Sequence, residues 1–313
     1  MASDAFRRLL LMFSVRRRDA FDLASFRSDF ERFAKLFPPL PEVEIETVVV
    51  GGVRGERSIP AAAGGRRQVL FFHGGGYVSG SLGTHREMVS RWALLTGTEF
   101  LAADYRLAPE HPFPAALEDA LSIYRGLLQG GAEPRKLAVA GDSAGGGLTV
   151  ALLKALRDAG DPLPAAAVLF SPWVDLTLVG ESIIRREKED KALQRSILER
   201  TSELYLAGES AAHPLVSPLF GSLAGLPPIL IQVGTAELLL DDSRRLAEKI
   251  LKQDGEVELR VWEAMIHGWQ LYSSFLPEGQ AALEEAAEFL RRQLGVDSNR
   301  HPSASGLQGR SRG

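Results

Sequence analysis

The chain has 313 residues, 45% of them apolar and 24% charged, an ordinary globular mixture. That length is enough to bury a sizeable core as one large α/β domain or two smaller ones. The net charge of −4 gives no electrostatic reason for a nucleic-acid partner. The absence of cysteine excludes disulfides, thiolate catalysis and cysteine-ligated zinc.

Residues 9–15 are apolar and follow Arg7-Arg8, as in a signal peptide. The run is short, however, and Arg16-Arg17-Arg18 stand where a small-residue cleavage site belongs. An amphipathic helix is therefore expected. No stretch approaches the roughly 18 apolar residues of a membrane span, so a cytoplasmic protein is the expectation. Leu23, Phe26, Phe30, Phe33 and Phe37 recur at spacings of three and four. They predict one aromatic stripe on a helix over residues 17–36, stopped by Pro38-Pro39.

Residues 44–50 and 54–59 read as a hairpin turning through Gly51-Gly52. Continuous apolar runs follow at 68–72, 99–103, 136–140, 165–170 and 229–233, and the series closes at 259–262. Such runs suit strands buried on both faces of a parallel sheet. Helical stretches at 84–96, 114–129, 143–159, 241–253 and 278–294 separate them. The alternation predicts a doubly wound α/β fold with a mostly parallel central sheet. Residues 176–209 carry no strand signal and read as one or two inserted amphipathic helices. The Ser-, Gly- and Arg-rich end of the chain, residues 296–313, reads as a disordered tail.

The chemistry begins at Gly141-Asp142-Ser143-Ala144-Gly145, between a predicted strand and a predicted helix. That is the context of a nucleophile elbow, a sharp turn that lifts a serine hydroxyl above the sheet. Upstream, His73-Gly74-Gly75-Gly76 directly follows a strand. A glycine run lets backbone amides converge on one point, as in an oxyanion hole. The expected donors are the N–H groups of Gly75, Gly76 and Ala144. A serine hydroxyl needs a base. Three histidines follow Ser143. His301 lies in the tail and His213 precedes a proline, which leaves His267 after the last strand. Two kinds of candidate compete for the acid that orients it. Glu237 sits on the loop leaving strand 229–233. Asp241, the runner-up, and Asp242 look like N-caps of the next helix.

Together these residues resemble the hormone-sensitive-lipase-like family of α/β-hydrolases, also called α/β-hydrolase fold-3. The resemblance rests first on His73-Gly74-Gly75-Gly76-Tyr77, on residues 104–116 from Asp104-Tyr105-Arg106 to Pro114-Ala115-Ala116, and on Gly141 to Gly146. It continues through Ser171-Pro172-Trp173-Val174-Asp175, Ser217-Pro218-Leu219, Gly225-Leu226-Pro227-Pro228 and His267-Gly268-Trp269, spanning about residues 40–294. It implies an α/β-hydrolase core at 41–175 and 216–295. Over the core it implies a helical cap built from residues 1–40 and an insertion at 176–215. It also implies a Ser143, Glu237, His267 triad, with Glu where most members have Asp, and hydrolysis of short- to medium-chain esters without a cofactor or metal. Arg106, Glu110 and Asp142 are expected to brace the catalytic loops. A lactonase or amide hydrolase with the same triad is the alternative, as is a non-catalytic binding relative. A small-molecule ester is the expected partner, and a homodimer paired across an edge strand is left open.

Overall fold

The computed structural model describes residues 3–14, 21–64 and 66–296. Eight strands form one sheet in the order β1-β2-β4-β3-β5-β6-β7-β8. β1 (Val43–Val50) and β2 (Val53–Pro60) make the predicted antiparallel hairpin, and β2 pairs antiparallel with β4 (Glu99–Ala103). The remaining neighbours are parallel: β4, β3 (Gln68–Phe72), β5 (Leu137–Asp142), β6 (Ala166–Phe170), β7 (Ile229–Gly234) and β8 (Val257–Trp262).

Burial alternates with the pleat and explains the continuous apolar runs. In β3, Val69 and Phe71 enter one core cluster while Leu70 and Phe72 enter another. The first cluster is filled by α3 (Leu82–Thr96) and α9 (Pro277–Leu294). The second is filled by α4 (Ala115–Gln129), α5 (Ala144–Ala159) and α8 (Leu240–Lys252). Both faces are thus covered, as a parallel sheet requires. Local signals fix several helix ends. Ser81 and Thr84 form a reciprocal capping box at the start of α3, and Gly97, Gly160 and Gly295 close α3, α5 and α9 in the left-handed conformation.

In the N-terminal region α1 (Asp4–Ser14) overlaps the apolar segment for which an amphipathic helix is expected, and α2 (Leu23–Ala34) lies within the helix predicted over 17–36. Residues 15–20 lie outside the described part, as do residues 297–313, on which the tail expectation falls. Residues 176–209 hold two helices, α6 (Glu181–Arg185) and α7 (Arg195–Leu206). Phe6, Leu9 and Phe33 bury α1 and α2 against Trp269, Tyr272 and Leu276. No helix among the described residues is long and apolar enough to cross a membrane.

Candidate active site

Every candidate residue sits just past the C-terminal end of a parallel strand: Gly75 and Gly76 after β3, Ser143 after β5, Glu237 after β7 and His267 after β8. That edge is where open α/β sheets form their sites. β5 runs two residues further than predicted, through Asp142, and Ser143 follows with φ 53° and ψ −120°. Its N–H donates to the Phe170 carbonyl at 2.8 Å, so the elbow is stapled to β6. This backbone conformation costs a non-glycine residue on the order of 1–3 kcal/mol and persists because its surroundings enforce it. The turn is possible only with glycine beside it. A Cβ on Gly145 would lie 2.0 Å from the Phe72 carbonyl oxygen, and one on Gly141 would lie 2.3 Å from that of Gly145.

Ser143, His267 and Glu237 form one hydrogen-bonded chain. The Ser143 Oγ lies 2.9 Å from His267 Nε2, and His267 Nδ1 lies 2.8 Å from Glu237 Oε2. The other carboxylate oxygen, Oε1, accepts the Ser171 hydroxyl at 2.8 Å and the Gly234 N–H at 2.5 Å. Glu237 is fully buried. The loops bearing Glu237 and His267 are laced together. Ala236 N–H donates to the Met265 carbonyl at 3.1 Å, and Ala264 N–H donates to Thr235 Oγ1 at 2.8 Å. Gly234 permits this approach, since a Cβ there would meet the Met265 oxygen at 2.0 Å. Burial by itself would depress the His267 pKa. The Glu237 hydrogen bond and charge, with the charges of Asp190 and Asp142 behind them, outweigh it and raise the pKa above its ordinary value.

Asp241 stands apart from this chain. It accepts the Ser182 N–H at 2.7 Å and so ties α8 to the start of α6. Asp242 accepts the N–H groups of Val174 and Asp175 on one oxygen, Oδ2, both at 3.0 Å. Neither caps α8 as expected. That helix begins at Leu240 after Leu239, with no side-chain cap, because both carboxylates are spent on the loop after β6 and on α6. His213 accepts the Leu215 N–H within its own loop. His301 lies outside the described residues.

The glycine loop is held from below. Asp142 Oδ1 accepts the Gly74 N–H at 2.8 Å, and the carboxylate also faces His85 Nε2 at 3.2 Å. Burial opposes ionisation of Asp142, but the His85 charge and hydrogen bond and the Gly74 N–H prevail, and its pKa is lowered. His73 stacks on Tyr105 with ring centroids 4.4 Å apart, and burial with the nearby His85 pushes its pKa down to about 4, so it is neutral at pH 7. Gly75 and Gly76 take φ values of 125° and 65°, and the Gly75 carbonyl accepts the Val78 and Ser79 N–H groups. The N–H groups of Gly75, Gly76 and Ala144 have no protein acceptor among the described residues. Ala144 opens α5, where the first N–H groups have no intrahelical partner. Arg106 pairs with Asp119 and Glu118. Glu110 pairs with Arg27 of α2. Arg27 also donates to the carbonyls of Val78 at 2.6 Å and Ala108 at 2.9 Å, seating α2 over the glycine loop.

Ser143 and His267 open into a cavity of about 320 Å³, at the small end of the roughly 300–1,000 Å³ of ligand pockets. Phe13 of α1, Phe26, Phe30 and Phe33 of α2, Trp173, and Leu193, Ile197 and Leu198 at and before α7 make one apolar wall. Gly75 and Gly76 line the polar side. The aromatic stripe therefore faces both the core and the cavity. No group of three or more His, Asp or Glu side chains among the described residues is arranged to hold a metal ion.

Sequence reading missed three supporting residues. Ser171 sits in a motif quoted only for its resemblance. Arg27 is an isolated cation on an aromatic helix. Asp190 lies inside a charged run, residues 185–191, with nothing in the sequence to single it out.

Comparison with known proteins identifies the family. A family model described as the alpha/beta hydrolase fold matches residues 69–271. An acetyl-hydrolase of Streptomyces hygroscopicus is 47% identical over 279 residues, 89% of this chain and 90% of that protein. An esterase of Acinetobacter venetianus is 37% identical over 90% of this chain and 93% of that protein. The crystal structure of an esterase from the bacterial hormone-sensitive lipase family superposes with a TM-score of 0.92 at 41% identity, covering 94% of this chain and all of that one. The chain thus belongs to the hormone-sensitive-lipase-like family of α/β-hydrolases and is a carboxylic ester hydrolase.

Proposed function

We propose that the protein hydrolyses short- to medium-chain carboxylic esters through an acyl-enzyme on Ser143. The observation that carries this reading is the unbroken chain from Ser143 Oγ through His267 to Glu237, next to three N–H groups without protein acceptors. His267 Nε2 accepts the hydroxyl proton as Ser143 Oγ attacks the ester carbonyl. The carbonyl oxygen takes up negative charge and is stabilised by the N–H groups of Gly75, Gly76 and Ala144, each worth roughly 3–4 kcal/mol in the transition state. As the tetrahedral intermediate collapses, the His267 Nε2–H protonates the departing alkoxide. A water molecule, deprotonated by His267, then attacks the acyl carbonyl, and Ser143 leaves with the proton returned. Glu237 holds the Nδ1–H tautomer throughout and stabilises the imidazolium.

The acyl group occupies the apolar cavity. α1, α2 and the segment 176–215 act as the cap, because Phe13, the α2 phenylalanines and Ile197 wall that space. The chain-length range follows from a small, aromatic-walled cavity. Ser143→Ala is expected to abolish hydrolysis of p-nitrophenyl butyrate, by roughly 10⁴-fold or more. A scan of p-nitrophenyl esters from acetate to palmitate is expected to peak at short to medium chains. Wild-type turnover by Ser143→Ala, or a maximum at palmitate, overturns the respective part.

A further inference from the structure

Residues 185–191 are seven consecutive charged residues, and the fold buries only Asp190 among them, to 2% exposure. Its hydrogen-bond partners are backbone N–H groups from two different places. Oδ1 accepts from Ala192 and Leu193, each at 3.0 Å. Oδ2 accepts from Leu238, also at 3.0 Å. Ala192 and Leu193 belong to the stretch that walls the cavity, and Leu238 follows Glu237 directly. One carboxylate therefore pins the cavity wall to the loop that carries the acid.

The same carboxylate acts on the base. Burial pushes Asp190 up to about 6; the charge of His267 pulls against that shift and the charge of Glu237 adds to it. In return, the charge of Asp190 favours the imidazolium form of His267. The charged groups facing His267 are Glu237, Asp190 and Asp142. Those facing Asp190 are His267 and Glu237. Nearby cations are engaged elsewhere: Lys191 donates to the Lys188 carbonyl, and Arg186 pairs with Glu189.

We propose that Asp190 is a positioning residue for the acid–base pair, and that it makes the seating of the acyl-cavity wall and the basicity of His267 depend on one carboxylate. The inference rests on the reading of Ser143, His267 and Glu237 given above. With the wall in place, Oδ1 is saturated and the negative charge stands where the imidazolium forms. Loss of the wall's N–H groups frees that carboxylate to shift, and Leu238, with Glu237 beside it, moves with it.

The test compares wild type, Asp190→Asn and Asp190→Glu on p-nitrophenyl butyrate across the pH range. Active-site concentration is set by titration with a p-nitrophenyl phosphonate. Asn keeps the volume and can keep its carbonyl oxygen on Ala192 and Leu193. It turns an N–H₂ toward Leu238 and removes the charge. The expected result is a several-fold lower kcat per active site and an acid limb of kcat/KM moved to lower pH by on the order of half a unit. Asp190→Glu retains the charge, so its limb stays near that of wild type while the displaced carboxylate raises KM several-fold. An unchanged limb and unchanged kcat in Asp190→Asn overturn the proposal. So does a fall in active-site concentration alone, which is what a merely structural residue would give. Should Asp190→Asn not fold, wild-type KM and kcat in Asp190→Glu overturn it instead. Ser143→Ala measured in parallel keeps the two readings apart. Wild-type turnover there defeats the catalytic chain itself, whereas an inactive Ser143→Ala with unaltered Asp190 variants defeats only the role of Asp190.

Discussion

Replacing Glu237 by Gln keeps the side-chain volume and removes one charge. The consequence can be worked from its neighbours. Oε1 accepts both the Ser171 hydroxyl and the Gly234 N–H, so the amide oxygen of Gln must take that side. The N–H₂ group then faces His267 Nδ1, where Oε2 now lies at 2.8 Å. It becomes a donor to Nδ1 and selects the tautomer with hydrogen on Nε2. That nitrogen can no longer accept the Ser143 proton. Where a carboxylate has been neutralised in this way the loss in kcat is roughly 10⁴-fold, or about 5 kcal/mol of transition-state stabilisation. Asp241→Asn should cost little, because an Asn oxygen can still accept the Ser182 N–H. Initial rates on p-nitrophenyl butyrate, normalised to folded protein by circular dichroism, make the comparison. A larger loss from Asp241→Asn than from Glu237→Gln would refute the assignment of the acid.

The pH profile gives a second check. His267 must be neutral to accept a proton, and its pKa is raised, so kcat/KM should climb with pH through an apparent pKa above the ordinary value of about 6.5. Glu237→Gln should bring that limb down. Gly76→Ala places a Cβ 3.0 Å from the Thr201 side chain at a φ of 65°, so the loop must shift. The expected loss is roughly 10²–10³-fold in kcat, with a smaller change in KM, read from steady-state kinetics. Burial, with the charge of Asp175, pushes Asp242 up to about 8. A folded-state pKa above the unfolded value means that the native state holds the proton more tightly, and stability is lost as pH rises from about 4 to about 8. Asp242→Asn escapes that loss while keeping an acceptor for Val174 and Asp175. Its Tm should exceed that of wild type by roughly a few degrees above pH 8, with a smaller gap at pH 5.

Much of this was legible in the sequence because the signals are local. The apolar runs of β3 to β7 report burial on both faces without any knowledge of neighbours. Gly141 to Gly145 encodes a turn in which a Cβ on either glycine would fall 2.0–2.3 Å from a backbone carbonyl oxygen, which excludes other residues. His267 emerged because few histidines compete for the role. The acid was harder to read. Glu237, Asp241 and Asp242 lie within six residues, and what separates them is where each carboxylate is spent, on His267, Ser182 or Val174. Those partners are remote in sequence. Asp190 was hidden for a related reason: it lies in a run of seven charges, 185–191, and only tertiary contacts reveal that this one member is buried. Near the N-terminus, the apolar patterns mark helices and their apolar faces but not that α1 docks on Trp269 and Tyr272.

The most direct measurement is covalent labelling of the nucleophile. A p-nitrophenyl alkylphosphonate resembles the tetrahedral intermediate and cannot be deacylated as an ester is. Wild type should release one equivalent of p-nitrophenolate, lose activity in step, and yield one modified peptide with the phosphonyl group on Ser143. A label on any other residue, or full ester turnover by an enzyme that takes up none, would contradict the account.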